Sequence, residues 1–108
     1  MKERYIVPKF ADFFKNEITL TQQRWIHIIQ EHPEVKEYIK EIEAVLKEPD
    51  LIKESKKDKT VYLYYRFFRE ILKGKYMIVV VKKSILSFVV TCYITDRIKE
   101  GDIIWEKK

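Results

Sequence analysis

The chain has 108 residues, of which 46% are hydrophobic and 14% aromatic. This is the size of a single domain, and its apolar content is enough for a core without disulfides or a structural metal. Cys92 is the sole cysteine, which excludes an internal disulfide and a cysteine-rich zinc site and fits a reducing compartment. Lys and Arg number 22 against 17 Asp and Glu, a net charge of +5. That excess suits a polyanionic partner such as RNA, or equally a well-solvated surface of mixed charge.

Two features bear on location. The apolar runs at 76–81 and 85–94 are far shorter than the roughly 18 residues of a membrane span. The basic start at Met1–Arg4 is not followed by the apolar run of a signal peptide. We therefore predict a single cytoplasmic domain over residues 1–108 with no membrane partner.

The first half of the chain predicts two helices. Residues 1–16 carry apolar and aromatic side chains and are expected to pack on the domain as an N-terminal extension; 17–21 is a short strand candidate. Helix one should begin at Thr19 or Thr21 as N-cap and run to His32, because Trp25, Ile28, Ile29 and His32 recur at helical spacing on one face. His27 falls on the polar flank.

Pro33 is suited to the first turn of a second helix, whose apolar positions run from Val35 to Leu46 and which Pro49 ends. The charged stretch 51–59 then predicts a connector with an exposed turn at 55–59. No firm structure is expected before Pro8, which breaks any early strand or helix.

From Thr60 the hydrophobic period changes to two, which is typical of strands. The pattern predicts strands at 60–68, 76–82 and 85–95, a loop at 96–101 and an edge strand at 103–105. In the third strand, the even-numbered residues from Leu86 to Ile94 form an apolar face for the helices, which leaves Thr91 and Tyr93 on a surface open to a ligand. The expected fold class is α+β, with N-terminal helices packed on a four-stranded antiparallel β-sheet.

Three pieces of the chain, in this order, resemble a known family. They are Trp25-x-His27-Ile28 followed by His32-Pro33-Glu34; Pro49-Asp50; and Val79-Val80-Val81-Lys82 followed by Val89-Val90-Thr91-Cys92-Tyr93. Together they resemble the phage-associated branch of the barnase–EndoU–colicin–RelE-like nuclease fold over roughly residues 17–105. Cys92 departs from the commoner pattern, in which a small residue such as alanine is expected.

The resemblance implies the barnase/RelE-like arrangement of helices on a four-stranded antiparallel sheet. It also implies metal-independent cleavage of RNA (tRNA or mRNA), often by a toxin with an antitoxin or immunity protein as partner. It points to His27, His32 and Thr91 as catalytic positions, with basic residues on the strands.

The residues themselves fit that chemistry but leave other readings open. RNA cleavage needs a base for the 2′-hydroxyl, an acid for the 5′-oxygen and donors for the charged phosphorane, and histidine suits either proton transfer. His32 could instead end a helix, and His27 could be an ordinary surface residue. For substrate binding we select Arg66, Lys82, Tyr64 and Tyr93; the alternative is a solvated strand face with paired aromatic rings. Thr91 is equally well explained as a strand former.

Other chemistries have less support. His27 and His32 are five residues apart rather than four, so they do not form a helical metal pair, and we expect no metal or cofactor. The two glycines, Gly74 and Gly101, do not make a phosphate-binding loop, and Cys92 should be buried rather than nucleophilic. The sequence thus predicts a metal-independent endoribonuclease acting by 2′-OH transesterification. The alternative is an inactive RNA- or protein-binding module on the same fold. The oligomeric state is not indicated.

Overall fold

The computed structural model of the protein describes residues 9–108. Residues 1–8, half of the expected N-terminal extension, lie outside the described part. Residues 9–108 form seven β-strands, two α-helices and a 3₁₀ turn. In chain order these are β1 (Lys9–Ala11), β2 (Glu17–Thr19), α1 (Gln22–Glu31), the 3₁₀ turn (Pro33–Val35), α2 (Ile39–Lys47), β3 (Leu51–Glu54), β4 (Val61–Phe68), β5 (Lys75–Lys82), β6 (Phe88–Thr95) and β7 (Asp102–Glu106).

All seven strands belong to one sheet, in the order β1-β2-β6-β5-β4-β3-β7. Neighbours are antiparallel except β2 and β6, which pair in parallel through Thr19 and Phe88. The prediction of helices packed on a four-stranded antiparallel sheet is therefore wrong, and so is the connector predicted at 51–59, whose first four residues form β3. Strands β1 and β3 have three and four residues with one buried side chain each, Phe10 and Ile52. Such short strands show too few alternations to be recognised in the sequence.

Helix α1 agrees with its prediction. The Thr21 hydroxyl accepts a hydrogen bond from the Arg24 amide at 3.1 Å and caps the N-terminus. The helix stops at His32 because the following proline disfavours helical geometry there. Ile28 is fully buried, with Trp25 and Ile29 packed beside it.

The second predicted helix is interrupted. Pro33 starts a 3₁₀ turn, and α2 begins only at Ile39, after Tyr38 has left the helical region. The apolar positions were nevertheless identified correctly, since Val35, Ile42, Val45 and Leu46 are all buried. Among residues 9–108, no helix has the length and apolar content to cross a membrane.

The sheet curls around α2, which packs against β1, β4 and β5. Phe13 follows the first strand of the sheet order and Trp105 lies in the last, yet their ring centroids are only 4.4 Å apart. We call the enclosed side the helix face; its core includes Tyr64, Val79 and Cys92. The opposite side, the outer face, has its own smaller cluster of Leu63, Tyr65 and Ile78.

A β-bulge in β6 changes which residues reach each face. Val80 pairs with Thr91 but Val81 pairs with Val89, so Val90 is an extra residue on the β6 side. Consequently Val89 rather than Val90 is buried on the helix face with Cys92, and the predicted alternation is wrong before the bulge and correct after it.

The connection between β6 and β7 crosses the outer face. These strands are third and seventh in the sheet, so residues 96–101 must pass four strand spacings, roughly 19 Å. The seven Cα steps from Thr95 to Asp102 span at most about 25 Å, which is enough for this crossing segment to reach β7. Its Ile98 packs on the outer cluster, and the Lys99 amide donates to the Tyr65 hydroxyl at 2.9 Å.

Candidate functional site

The curled sheet distributes the predicted site residues over three places. Thr91, Tyr93 and Lys82 belong to the outer face, and His32 lies at its rim. Tyr64 and Arg66 belong to the helix face of β4, and His27 lies on the exposed side of α1. The structure stacks His32 on Tyr93, and Thr91 lies two residues from Tyr93 on the same face. Lys82 shares that face but lies opposite Phe88, five residues along β6 from Tyr93.

His32 is held where α1 gives way to the 3₁₀ turn. Its ring stacks on Tyr93 of β6, with centroids 4.9 Å apart and 24° between the planes. Its Nδ1 lies 3.7 Å from Glu34 Oε2, and about a third of the side chain, 31%, stays exposed. This separation is longer than a hydrogen bond, so the carboxylate acts on the imidazole as a nearby negative charge, and Nε2 is left for proton transfer.

Lys99 joins this group from the crossing segment. Its ammonium lies 5.5 Å from the centroid of the Tyr93 ring, within cation–π range. A polar contact with the Tyr93 hydroxyl raises the pKa of Lys99 above its ordinary value, so the side chain carries a positive charge at neutral pH. We call His32, Glu34, Tyr93 and Lys99 the His32 cluster.

The backbone beside Lys99 is anchored as well as its side chain. Tyr65, fully buried, accepts the Lys99 amide, and burial raises the pKa of this tyrosine. The Lys53 ammonium donates to the Lys99 carbonyl at 2.9 Å. Sequence reasoning missed Lys99 because a lysine in a charged loop carries no signal of its own; only the crossing of the sheet brings it to β6.

Thr91 and Lys82 lie on the same face as Tyr93. Thr91 precedes Tyr93 by two residues and pairs with Val80 of β5. Lys82 is engaged in an ion pair with Asp58, Nζ to Oδ2 at 2.9 Å. Hydrogen bonds from Thr60, and then from Lys82, hold the pKa of Asp58 well below its usual range, so the pair stays ionised at neutral pH.

His27 is remote from the cluster. Its Nε2 lies 3.5 Å from Glu31 Oε2 one helical turn later, and more than half of the side chain, 54%, is exposed. The predicted pairing of His27 with His32 in one catalytic site is therefore not what α1 presents, because positions five apart project from different sides of a helix.

Tyr64 is fully buried on the helix face, out of reach of a stacking base. Its hydroxyl donates to Asp12 Oδ2 at 2.5 Å, and the Lys83 ammonium reaches the same oxygen at 2.8 Å. Burial and the Asp12 carboxylate both raise the pKa of Tyr64. Burial alone would raise the pKa of Asp12 too, but the bonds from Lys83 and Tyr64 outweigh it and hold that pKa below its usual value.

Arg66 points to the same face of β4 as Tyr64 and is the last residue but one of that strand to do so, before Phe68. Its Nη1 donates to the Glu48 carbonyl just after α2, and its guanidinium lies 5.7 Å from the Phe68 ring centroid. It therefore lies across the sheet from the His32 cluster, and the two cannot hold one phosphate together.

Neither a cysteine nucleophile nor a metal site is present among residues 9–108. Cys92 is fully buried, and burial raises the pKa of its thiol to about 12, which removes the thiolate that nucleophilic attack requires. Among residues 9–108, no three His, Cys, Asp or Glu side chains are grouped to hold a metal ion.

Comparison of the chain with protein-family models, with curated proteins and with solved structures found no match to any of them. The resemblance to the phage-associated nuclease branch stays a prediction from the residues.

Proposed function

We propose that the protein is a metal-independent endoribonuclease, acting on tRNA or mRNA, whose catalytic centre is the His32 cluster. One observation supports this proposal above the others: a partly exposed imidazole with a carboxylate at its Nδ1 lies against a tyrosine that also contacts a lysine. The reaction requires a base, an acid and a cation for the charged phosphorane: the imidazole can supply the base, the tyrosine or the lysine the acid, and the lysine the cation.

In the proposed reaction, His32 Nε2 removes the proton of a 2′-hydroxyl and the 2′-oxygen forms a bond to the adjacent phosphorus. The bond from phosphorus to the 5′-oxygen breaks, and that oxygen takes a proton from the Tyr93 hydroxyl or the Lys99 ammonium. The products are a 2′,3′-cyclic phosphate and a 5′-hydroxyl end. Lys99 and the Thr91 hydroxyl stabilise the negative charge of the phosphorane.

The net charge of +5 supports an RNA partner, since a basic protein gains affinity from counterion release. A cytoplasmic location and an antitoxin or immunity protein that masks the outer face belong to the same proposal. The acid is assigned to Tyr93 or Lys99 because the chain has two histidines and only His32 lies in the cluster.

The presence of a single histidine in the cluster favours a second candidate, an inactive RNA-binding module that uses the same face. Lys82 is already neutralised by Asp58, and Arg66 is bound to the Glu48 carbonyl on the other side of the sheet. Such a module would hold RNA in a salt-sensitive way without turnover.

The deciding experiment is cleavage of a mixed tRNA and mRNA pool in EDTA by the native chain, His32→Ala and His27→Ala. We expect fragments with cyclic-phosphate ends, a loss of roughly 10²- to 10⁴-fold in rate for His32→Ala, and a nearly native rate for the matched control His27→Ala. No cleavage by the native chain, together with salt-sensitive RNA retention, would favour the binding module. Equal loss in both histidine variants would refute the assignment of the centre.

A further inference from the structure

A second cationic site lies on the helix side of the sheet, where the C-terminal end of α2 meets β7 and the tip of the β1–β2 hairpin. A cleft of about 440 Å³ opens there, a volume within the range of small-molecule sites. We call it the Arg66 cleft. It is lined by Phe13, Lys47, Glu48, Pro49, Arg66, Trp105 and Lys107, so one carboxylate faces the three cations.

The walls of the cleft combine an aromatic pair with three cations. Phe13 and Trp105 pack at 4.4 Å with 36° between the ring planes and supply an apolar wall. Lys47, Arg66 and Lys107 supply positive charge. Their nearby carboxylates compensate only in part: Lys107 Nζ is 3.8 Å from Asp50 Oδ1, a long and largely exposed pair. The chemistry suits an anion that carries a flat, partly apolar group.

Arg66 has donors left over for such an anion. Its Nη1 is bound to the Glu48 carbonyl, yet its Nε is buried and has no hydrogen-bond acceptor among residues 9–108. A buried donor without an acceptor is unfavourable, and it leaves this guanidinium with unused hydrogen-bonding capacity beside the cleft. Guanidinium groups bind phosphate oxygens through two parallel N–H donors, which a lysine cannot do.

We propose that the Arg66 cleft binds a nucleoside phosphate, with the phosphate on the three cations and the base against the Phe13–Trp105 wall. The source is either a free nucleotide or the 5′-phosphorylated end of an RNA chain. Because Arg66 and the His32 cluster lie on opposite faces of the sheet, this site does not depend on RNA cleavage, and either proposal stands if the other fails.

The test is an NMR titration of the full-length, ¹⁵N-labelled His32→Ala chain, in which RNA is not consumed. The probes are AMP, adenosine and a four-nucleotide RNA with either a 5′-phosphate or a 5′-hydroxyl. We expect AMP or the phosphorylated RNA to shift the Arg66 Nε–H and Trp105 indole signals and to bind at least about tenfold more tightly than its phosphate-free counterpart. If only AMP binds more tightly than its phosphate-free counterpart, the ligand is a free nucleotide. If only the phosphorylated RNA does so, the ligand is the 5′-phosphorylated end of an RNA chain.

Charge variants check that the cleft is the site. Lys47→Gln and Lys107→Gln should each weaken AMP or phosphorylated-RNA binding several-fold, whereas Lys40→Gln, the same change two turns earlier on α2, should not. Arg66→Lys keeps the charge but loses the second donor, and we expect at least about tenfold weaker binding with a melting temperature close to the parent's. Equal binding with and without the phosphate, no signal shift with any probe, or equal weakening by Lys40→Gln would overturn the proposal.

Discussion

The two faces of the sheet each hold a tyrosine, a lysine and a carboxylate, but in opposite circumstances. On the helix face, Tyr64, Lys83 and Asp12 meet at 2.5 and 2.8 Å around a carboxylate with no exposed surface. On the outer face, a partly exposed His32 stacks on Tyr93 at 4.9 Å and lies 3.7 Å from Glu34. Lys99 lies 5.5 Å from the centroid of the Tyr93 ring. The first group is satisfied by its own members, whereas the second has donors available for a ligand.

Residue type alone does not distinguish a structural group from a functional one in this protein. The two groups differ in how deeply their polar atoms are buried and in whether those atoms already have hydrogen-bond partners. The helix-face group ties the β1–β2 hairpin to β4 and to the end of β5, and its lysine is enclosed by Phe14, Tyr62 and Tyr64 at 5.0 to 5.6 Å. Substitutions there should change stability, while substitutions in the His32 cluster should change activity.

The largest expected stability effect is that of Asp12→Ala. Removing the carboxylate leaves the Lys83 ammonium and the Tyr64 hydroxyl without a partner, so we expect a loss of about 3–5 kcal/mol in the free energy of unfolding. Urea denaturation measures it. Glu17→Ala is the matched control, because Glu17 also pairs with a lysine of the hairpin region, Lys9 at 3.3 Å, but in an exposed position; its cost should stay below about 1 kcal/mol. Equal costs would remove the contrast between buried and exposed pairs.

The same carboxylate gives a pH dependence with a definite sign. Since the folded-state pKa of Asp12 lies below its unfolded value of 3.8, its contribution is complete above that value and is lost as pH falls through the lower, folded pKa. Acid unfolding curves should therefore fall more steeply below pH 3.8 for the native chain than for Asp12→Asn. Parallel curves would contradict this assignment.

A smaller loss is expected from Gly101→Ala at the end of the crossing segment. A Cβ there would lie 2.7 Å from the Glu54 carbonyl oxygen, so either the segment or β3 must shift. We expect a cost of about 1–3 kcal/mol and, because Lys99 moves with the segment, slower RNA cleavage. Glu100→Ala, an exposed neighbour in the same segment, should change neither thermal unfolding nor cleavage. An unchanged cleavage rate in Gly101→Ala would show that the position of Lys99 does not matter for catalysis.

Lys99→Met tests the outer face without touching its core. Losing the cation should slow RNA cleavage by about tenfold or more while leaving the melting temperature nearly unchanged, because the side chain is exposed. Lys40→Met, an equal change on α2, controls for net charge. If both variants lose the same activity, the effect belongs to overall charge rather than to the cluster.

The smallest effect should come from Tyr65→Phe. The change removes the hydroxyl that accepts the Lys99 amide, which is worth about 0.5–1.5 kcal/mol, and it should loosen the crossing segment. Amide hydrogen exchange at Lys99 measures this directly. Tyr76→Phe, whose ring packs against Tyr65 at 6.1 Å, should leave that exchange rate unchanged.

Local patterns were sufficient for about half of the architecture. The spacing of Ile28 and its neighbours, the Thr21 cap and the Pro33 break predicted α1. An alternating run predicted β4, and a run apolar on both faces predicted the central strand β5. These predictions succeeded because a pattern sustained over a whole element reflects which of its sides are buried. The same reasoning placed Cys92 in the core and Tyr93 on the other surface.

The candidate site was predicted in part. His32 and Tyr93 were selected from the sequence and do meet, and Thr91 shares their face. Tyr64 was selected as a residue on which a base stacks, but it is buried under the helices. Alternation along β4 separates the two faces of the strand without showing which face the helices cover. His27 was grouped with His32 through the family resemblance, and helix geometry directs the two to different sides of α1. Arg66 was selected because it follows Tyr62 and Tyr64 on one strand face, and that face proves to be the one that the helices cover.

By itself the sequence determined α1 and its end before Pro33, the apolar positions of α2 and the long central strands, since each depends on neighbours within a few residues. The tertiary structure alone decided that β1 and β3 are strands, that a bulge at Val90 exchanges the faces of β6, and that Lys99 reaches Tyr93. The physical reason is the same in each case. These features depend on pairing between distant segments, and the free energy of such pairing comes from the partner strand rather than from the residues' own pattern.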